Sequence, residues 1–202
     1  MKIYQLFPEP VCTCSLERKL TQEELKIINE YQKETYKNDG NITSNDNYVL
    51  ENKTLKNLKK DLHTKVMDYF DKVICTDNPI TPYITQSWLN YTKSDQFHHQ
   101  HNHQNSYISG VFYISADKEV DSITFYKPNV EDRIKLHVIK HNPFNSTTLR
   151  FPVETGNVFL FPSRLIHGVD RKKGTNTRIS LSFNVFFKGT IGNNKLLTEL
   201  VL

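Results

Sequence analysis

The 202-residue chain has little cysteine and no long apolar run. Its three cysteines, Cys12, Cys14 and Cys75, are an odd number with no second Cys/His pair at zinc-ribbon spacing. That excludes a disulfide framework and a zinc ribbon, and makes a reducing cytoplasm the expected compartment. No stretch of roughly 18 apolar residues occurs, so no membrane-spanning helix is expected. Pro8, Glu9 and Pro10 interrupt the place where a secretory signal needs an unbroken apolar segment, so export is not expected either. Charge of one sign is also missing as a block. The 26 basic and 22 acidic residues are dispersed and leave a net +4, which keeps nucleic acid open as a partner without arguing for it. With 37% hydrophobic residues, 7 Gly and 8 Pro, the composition excludes collagen-like and disordered chains. At roughly 150 residues per domain, the length predicts a single domain over 1–202.

Two helices are predicted in the first part of the chain, a helical flank over 20–78. Thr21-Gln-Glu-Glu24 is a capping box, followed by Leu25, Ile28 and Tyr31 at helical spacing, which predicts a helix over 22–37. Leu55, Leu58, Leu62, Val66, Tyr69 and Val73 form an apolar stripe opposite Lys53, Lys56, Lys59, Lys60 and Lys65. This is a second amphipathic helix, ended by Asp77-Asn78-Pro79, with its lysines read as a solvated face. Beyond residue 80 the helical period gives way to Tyr-, Ile-, Val-, Phe- and Thr-rich segments between turn residues. Strands are predicted at 83–92, 107–115, 122–127, 134–140, 147–151, 157–161 and 178–187, the count of a small sandwich or barrel. Along the last of these, Arg178, Ser180, Ser182 and Asn184 share a polar face and Ile179, Leu181, Phe183, Val185 and Phe187 a dry one.

Five of the eight histidines fall in two places, His98-His99-Gln-His101-Asn-His103 and His167. Histidines at i and i+2 on an extended chain project to the same side, so His101 and His103 can grip one ion, whereas an adjacent pair cannot. Imidazole suits Fe, Cu, Ni and Zn rather than Mg or Ca, and His167 from a distant strand is the natural third ligand. His98 and His99 are left behind the ligands or facing substrate. His63, His137 and His141 read as structural or solvated, and Cys12-x-Cys14 as small residues packed in an N-terminal strand.

The order Trp88-Leu-Asn90-Tyr, His98-x-x-His101-x-His103, Ser109-Gly-Val-Phe-Tyr113, Gly156-Asn-Val-Phe-Leu-Phe-Pro-Ser163, His167 and Arg178-Ile-Ser180-x-x-Phe-Asn184 resembles the Fe(II)- and 2-oxoglutarate-dependent oxygenases. More narrowly it resembles their small members from cyanophages and other marine phages, and a phage origin would put the protein in a host cytoplasm. The resemblance implies a mainly β fold with flanking helices around a double-stranded β-helix, a cupin-like jelly-roll core over 80–192. It implies Fe(II), 2-oxoglutarate and O2 as cofactor and cosubstrates, with His101, His103 and His167 on the metal and Arg178 on the far carboxylate of 2-oxoglutarate. Ser180 is the matching hydroxyl, and Asn90 and Tyr113 lie on strands beside the pocket. The implied activity is a dioxygenase that hydroxylates a C–H bond, on a protein side chain or another substrate, with release of succinate and CO2. His103 departs from the superfamily pattern, standing where a carboxylate is expected in a two-His-one-carboxylate triad.

Two other readings fit the same residues: a three-His iron dioxygenase that does not use 2-oxoglutarate, and a metal-binding jelly roll without catalysis. The turn Arg171-Lys172-Lys173, near the expected mouth, is where a phosphate or an acidic protein segment would meet the chain, though such a turn is usually only solvated. The oligomeric state cannot be read from the sequence.

Overall fold

The computed structural model describes residues 1–128 and 136–202, and the counts below refer to those. The chain runs β1 (Cys12–Ser15), α1 (Gln22–Tyr31), β2 (Thr35–Lys37), β3 (Ile42–Ser44), two short 3-10 turns, α2 (Lys56–Tyr69) and a π-helical turn over Phe70–Ile74. There follow β4 (Ile80–Thr92), β5 (His98–His101), β6 (Ile108–Ser115), β7 (Ser122–Tyr126), β8 (Thr148–Pro152), β9 (Asn157–Pro162), β10 (His167–Val169), β11 (Arg178–Ile191) and β12 (Leu200–Val201).

The predicted capping box is present at α1. The Thr21 hydroxyl accepts from the Glu24 amide, and Glu24 returns the bond to the Thr21 amide. Buried Glu24 is held by a two-pronged contact from Arg18, at 2.7 and 2.8 Å. The helix ends at Tyr31 rather than 37, because the next residues leave for β2, which pairs with β3 and so extends the large sheet. The second helix also stops short of Asp77: its π turn closes at Ile74 on Cys75, whose φ of 51° breaks the helical path.

The strands form two sheets, ordered β1-β9-β6-β11-β4-β3-β2, with β12 on β11, and β5-β10-β7-β8. This is the jelly-roll arrangement of two antiparallel sheets, with the helices on the outside of the larger one. Alternation sorts the side chains. Leu89, Tyr91, Phe112, Val158, Leu160, Leu181, Phe183 and Val185 point to the helices and pack with Leu58, Leu62 and Val66. Their neighbours Val111, Tyr113, Phe159 and Phe161 point inward and meet Ile123 and Phe125 of the small sheet. The two sheets thus enclose a second, smaller core, and the polar residues of the inner face gather at its open end.

β2, β3 and β12, two or three residues each, have no counterpart among the predicted strands, and three further strands also differ from the sequence reading. β5 and β10 are four and three residues long, too short to show a period, and neither was expected as a separate strand. The strand predicted at 134–140 is absent over 136–140, which are coil and bend and mostly exposed, while 134 and 135 lie outside the described residues. Over 136–140 no strand partner is present among the described residues. Among the described residues no helix is long and apolar enough to cross a membrane.

Candidate metal and carboxylate site

The inner face of the large sheet is built in rows. β11 pairs with β6 on one side and β4 on the other, so that Ser180 stands opposite both Tyr113 and Asn90, and Ser182 opposite both Val111 and Trp88. Arg178 lies opposite Thr92 at the end of the same face. The small sheet supplies the facing wall. There His167 pairs directly with His101, and His103 follows two residues later, its amide tied to the carbonyl of Ser163 at 2.9 Å. All seven residues singled out in the sequence, Asn90, His101, His103, Tyr113, His167, Arg178 and Ser180, line one pocket.

At one end of the pocket, the ligand atoms of His101, His103 and His167 lie within 4.8 Å of one another. Two of the rings are set by backbone: His101 Nδ1 is 2.8 Å from the carbonyl of His99, and His167 Nδ1 is 3.0 Å from that of Leu165. In the neutral ring each Nδ1–H donates to its carbonyl, leaving Nε2 free as a lone-pair donor toward the shared centre. Trp88 stacks on His103 with ring centroids 5.5 Å apart. Burial, and then the neighbouring His101, push His103 down to about 4 and His167 down to about 3. All are therefore neutral at pH 7, the state that binds metal.

At the other end sits Arg178, 2% exposed. Its Nη1 donates to the Ser122 carbonyl at 3.3 Å and its Nη2 to the Thr92 hydroxyl at 3.2 Å, while Nε is buried without a partner. Among the described residues no carboxylate pairs with it. Burial lowers its pKa, with Tyr113 and Asp121 acting in the opposite sense. A buried guanidinium costs several kcal/mol unless an anion compensates it. Burial also pushes the Tyr113 phenol up to about 12, so it stays an O–H donor. Asn90 Oδ1 lies 3.2 Å from the Thr43 hydroxyl and 3.4 Å from the Asn41 amide nitrogen, while its own nitrogen donates to Ser182 at 3.1 Å. It braces the floor of the pocket. Three neutral imidazoles at one end and an uncompensated cation at the other suit a divalent metal and a carboxylate bound side by side.

His98, expected behind the ligands or facing substrate, lines the pocket, and so does Ser182, which sequence reasoning did not single out although it shares the i, i+2 face of Arg178 and Ser180. Thr92 had no sequence signal, since only the β4–β11 register brings it to Arg178. The expectation that adjacent histidines cannot converge also needs correcting. Between the pairs His167↔His101 and Val169↔His98, β5 carries one residue more than β10. This bulge turns His98 onto the side of His101, with rings stacked 4.6 Å apart, and His99 lies 5.2 Å from His98. Lys172 is corrected as well: it is 3% exposed instead of solvated.

Residues 86–184 match the family model described as "Putative 2OG-Fe(II) oxygenase". No curated protein matches the chain. Among solved structures, a 2OG-Fe(II) oxygenase family oxidoreductase from Burkholderia pseudomallei is similar at 15% identity and TM-score 0.57, covering 86% of this chain and 83% of that one. HygX from Streptomyces hygroscopicus, with nickel, 2-oxoglutarate and hygromycin B bound, is similar at 12% identity and TM-score 0.57 over 88% and 82% of the two chains. A prolyl hydroxylase from Trichoplax adhaerens, in complex with a hypoxia inducible factor peptide, is similar at 14% identity and TM-score 0.56 over 87% and 83%. These likenesses describe the shared jelly roll, while the matched segment, from β4 to Asn184, contains every residue of the pocket. Over residues 86–184, just under half of its length, the chain matches the 2OG-Fe(II) oxygenases, enzymes that use Fe(II), 2-oxoglutarate and O2.

Proposed function

We propose that His101, His103 and His167 hold Fe(II), that Arg178 and Ser180 hold the distal carboxylate of 2-oxoglutarate, and that the enzyme hydroxylates a C–H bond. The observation that carries this reading is Arg178, buried and without a carboxylate partner among the described residues, at the far end of a pocket that begins with three imidazoles. A carboxylate there receives the unused Nε–H and an Nη–H in the parallel geometry that a guanidinium offers. The Tyr113 phenol and the Ser180 hydroxyl supply further donors, and Asn90 keeps Ser182 turned into the floor. Bound iron supplies O2 activation coupled to oxidation of 2-oxoglutarate to succinate and CO2. The chain's own part is to fix three ligands, exclude water with Phe161 and Trp88, and leave one face of the metal to substrate. Replacing a carboxylate ligand by His103 leaves the centre one unit more positive, which strengthens its attraction for anionic 2-oxoglutarate.

A protein side chain is the substrate class proposed first. The peptide-bound prolyl hydroxylase among the structural neighbours supports it, while HygX with hygromycin B keeps a small molecule as the alternative. The catalytic unit is proposed to be the β core over 80–192, with 20–78 as a helical flank of the same domain. The test is anaerobic titration with Fe(II) and then 2-oxoglutarate, following the weak visible band of a chelated 2-oxo acid. The wild type should develop the band, Arg178→Ala should bind iron as tightly as wild type without it, and His167→Ala should bind iron more weakly and also lack the band. Iron binding with no band in the wild type would move the assignment to a three-His dioxygenase that does without 2-oxoglutarate.

A further inference from the structure

His98 and His99 have no task in the reading above, yet they form a group of their own. The ligand atoms of His98, His99 and His101 lie within 4.8 Å of one another, as compactly as those of the triad. Nitrogens on one ion at roughly 2.1 Å stand about 3 to 4 Å apart, so small rotations close the group around a metal. Two further observations point to a ligand. His99 Nδ1 is buried without a hydrogen-bond partner among the described residues, and the Asp39 carboxylate faces it, Oδ2 at 3.8 Å. His98 Nε2 lies 3.4 Å from the Asn38 amide nitrogen, a long contact in which the ring accepts and therefore presents the lone pair that a metal would use. The group reaches the surface at one side, with Asp39 71% exposed and His99 38%, while His98 stands in the pocket wall beside His101.

His101 belongs to both groups. Its Nδ1 is engaged with the His99 carbonyl, so only Nε2 is left for a metal. We propose that His98, His99, Asp39 and the shared His101 form an outer site for a borderline divalent ion, filled in alternation with the inner triad. Where the inner site is concerned, this rests on the proposed ligand set. An ion held outside can pass inward by exchanging His98 and His99 for His103 and His167 while His101 stays bound.

Co(II) alone tests the proposal, with stoichiometry from equilibrium dialysis and coordination from its visible bands. The wild type should bind one Co(II) at saturation. His167→Ala should still bind one, on the order of tenfold more weakly and with altered bands, and His99→Ala should bind one with the wild-type bands. The double variant should bind none. Asp39→Asn touches only an exposed side chain and leaves the fold intact; in the His167→Ala background it should weaken binding several-fold. If His167→Ala binds no more Co(II) than the double variant, or Asp39→Asn has no effect there, no outer site exists. Two ions bound at once in the wild type would overturn the alternation. Since 2-oxoglutarate takes no part, failure of the proposed function appears separately, as a missing 2-oxo acid band in a protein that binds metal normally.

Discussion

Lys172 and Asp121 form an ion pair inside the protein, Nζ to Oδ1 3.3 Å, with each side chain only 1% exposed. Asn176 bridges them, accepting from Lys172 at 2.7 Å and donating to Asp121 Oδ2 at 3.0 Å. The pair joins the loop before β11 to the loop before β7, and Ser122, next to Asp121, carries the carbonyl that receives Arg178. The basic turn is therefore mostly spent on structure. Lys172 is inside, and Arg171 lies over the Phe97 ring at 5.6 Å and donates to the Asp95 carbonyl.

Lys172→Met should destabilise the protein by about 3–5 kcal/mol, because it leaves the Asp121 carboxylate buried without a cation. Adding Asp121→Leu should recover most of that loss. Urea unfolding of the two variants checks it; a single variant within about 1 kcal/mol of wild type would mean that the pair is not desolvated.

Arg178→Lys keeps the charge but loses the fork. One or two charge-assisted hydrogen bonds, at about 1.5–3 kcal/mol each, correspond to a 2-oxoglutarate affinity at least tenfold weaker. Iron affinity should stay within about threefold of wild type, since Arg178 is at the opposite end of the pocket from the triad. Equal losses of both affinities would show that the variant damages the pocket as a whole.

The fold was legible where one periodicity runs long. The stripe from Leu55 to Val73, the capping box at Thr21 and the two-faced strand from Arg178 gave α2, α1 and β11, because burial on one face leaves a repeating pattern. Helix ends were less legible: after Tyr31, β-pairing with β3 wins over continued helical turns, a tertiary preference that leaves no local mark. The candidate ligands were visible through i, i+2 spacing, while the approach of His98 to His101 depends on a bulge that inserts one residue in β5 relative to β10. The burial of Lys172 likewise depends on Asp121, about 50 residues earlier in the chain.

Two glycines should separate stability from metal binding. At Gly110 a Cβ would overlap Cζ of the fully buried Phe183 ring, so Gly110→Ala should cost at least about 1–3 kcal/mol. At Gly168 it would stand 3.0 Å from the His98 carbonyl oxygen and 3.2 Å from that of His99. Easing that contact needs only a few tenths of an ångström, but it moves β5, and His101 with it, away from His167. Gly168→Ala should therefore lower metal affinity with a small change in melting temperature; thermal melts and Co(II) titrations of both variants would show it, and the opposite ranking would refute it.

Low pH should unfold the metal-free protein earlier than its carboxylates alone would require. His103 and His167 are held down to about 4 and about 3 by burial, below the 6.5 of an exposed imidazole. The folded state thus binds fewer protons than the unfolded chain between these values and 6.5. Stability is fully present above pH 6.5 and is lost as pH falls, at up to about 1.4 kcal/mol per unit for each histidine until its folded pKa is reached. By pH 5, about 1.5 units below 6.5 and still above both folded values, the two histidines together should cost up to about 4 kcal/mol. His167→Gln removes one of the titrating rings, so its stability should fall with pH on a slope shallower by up to one proton. Bound metal should oppose the loss, because protonation and coordination compete for the same Nε2. Urea titrations at pH 7.5, 6.0 and 5.0, with and without Co(II), measure both effects. Parallel slopes for wild type and His167→Gln would mean that His167 titrates in the folded state much as it does in water.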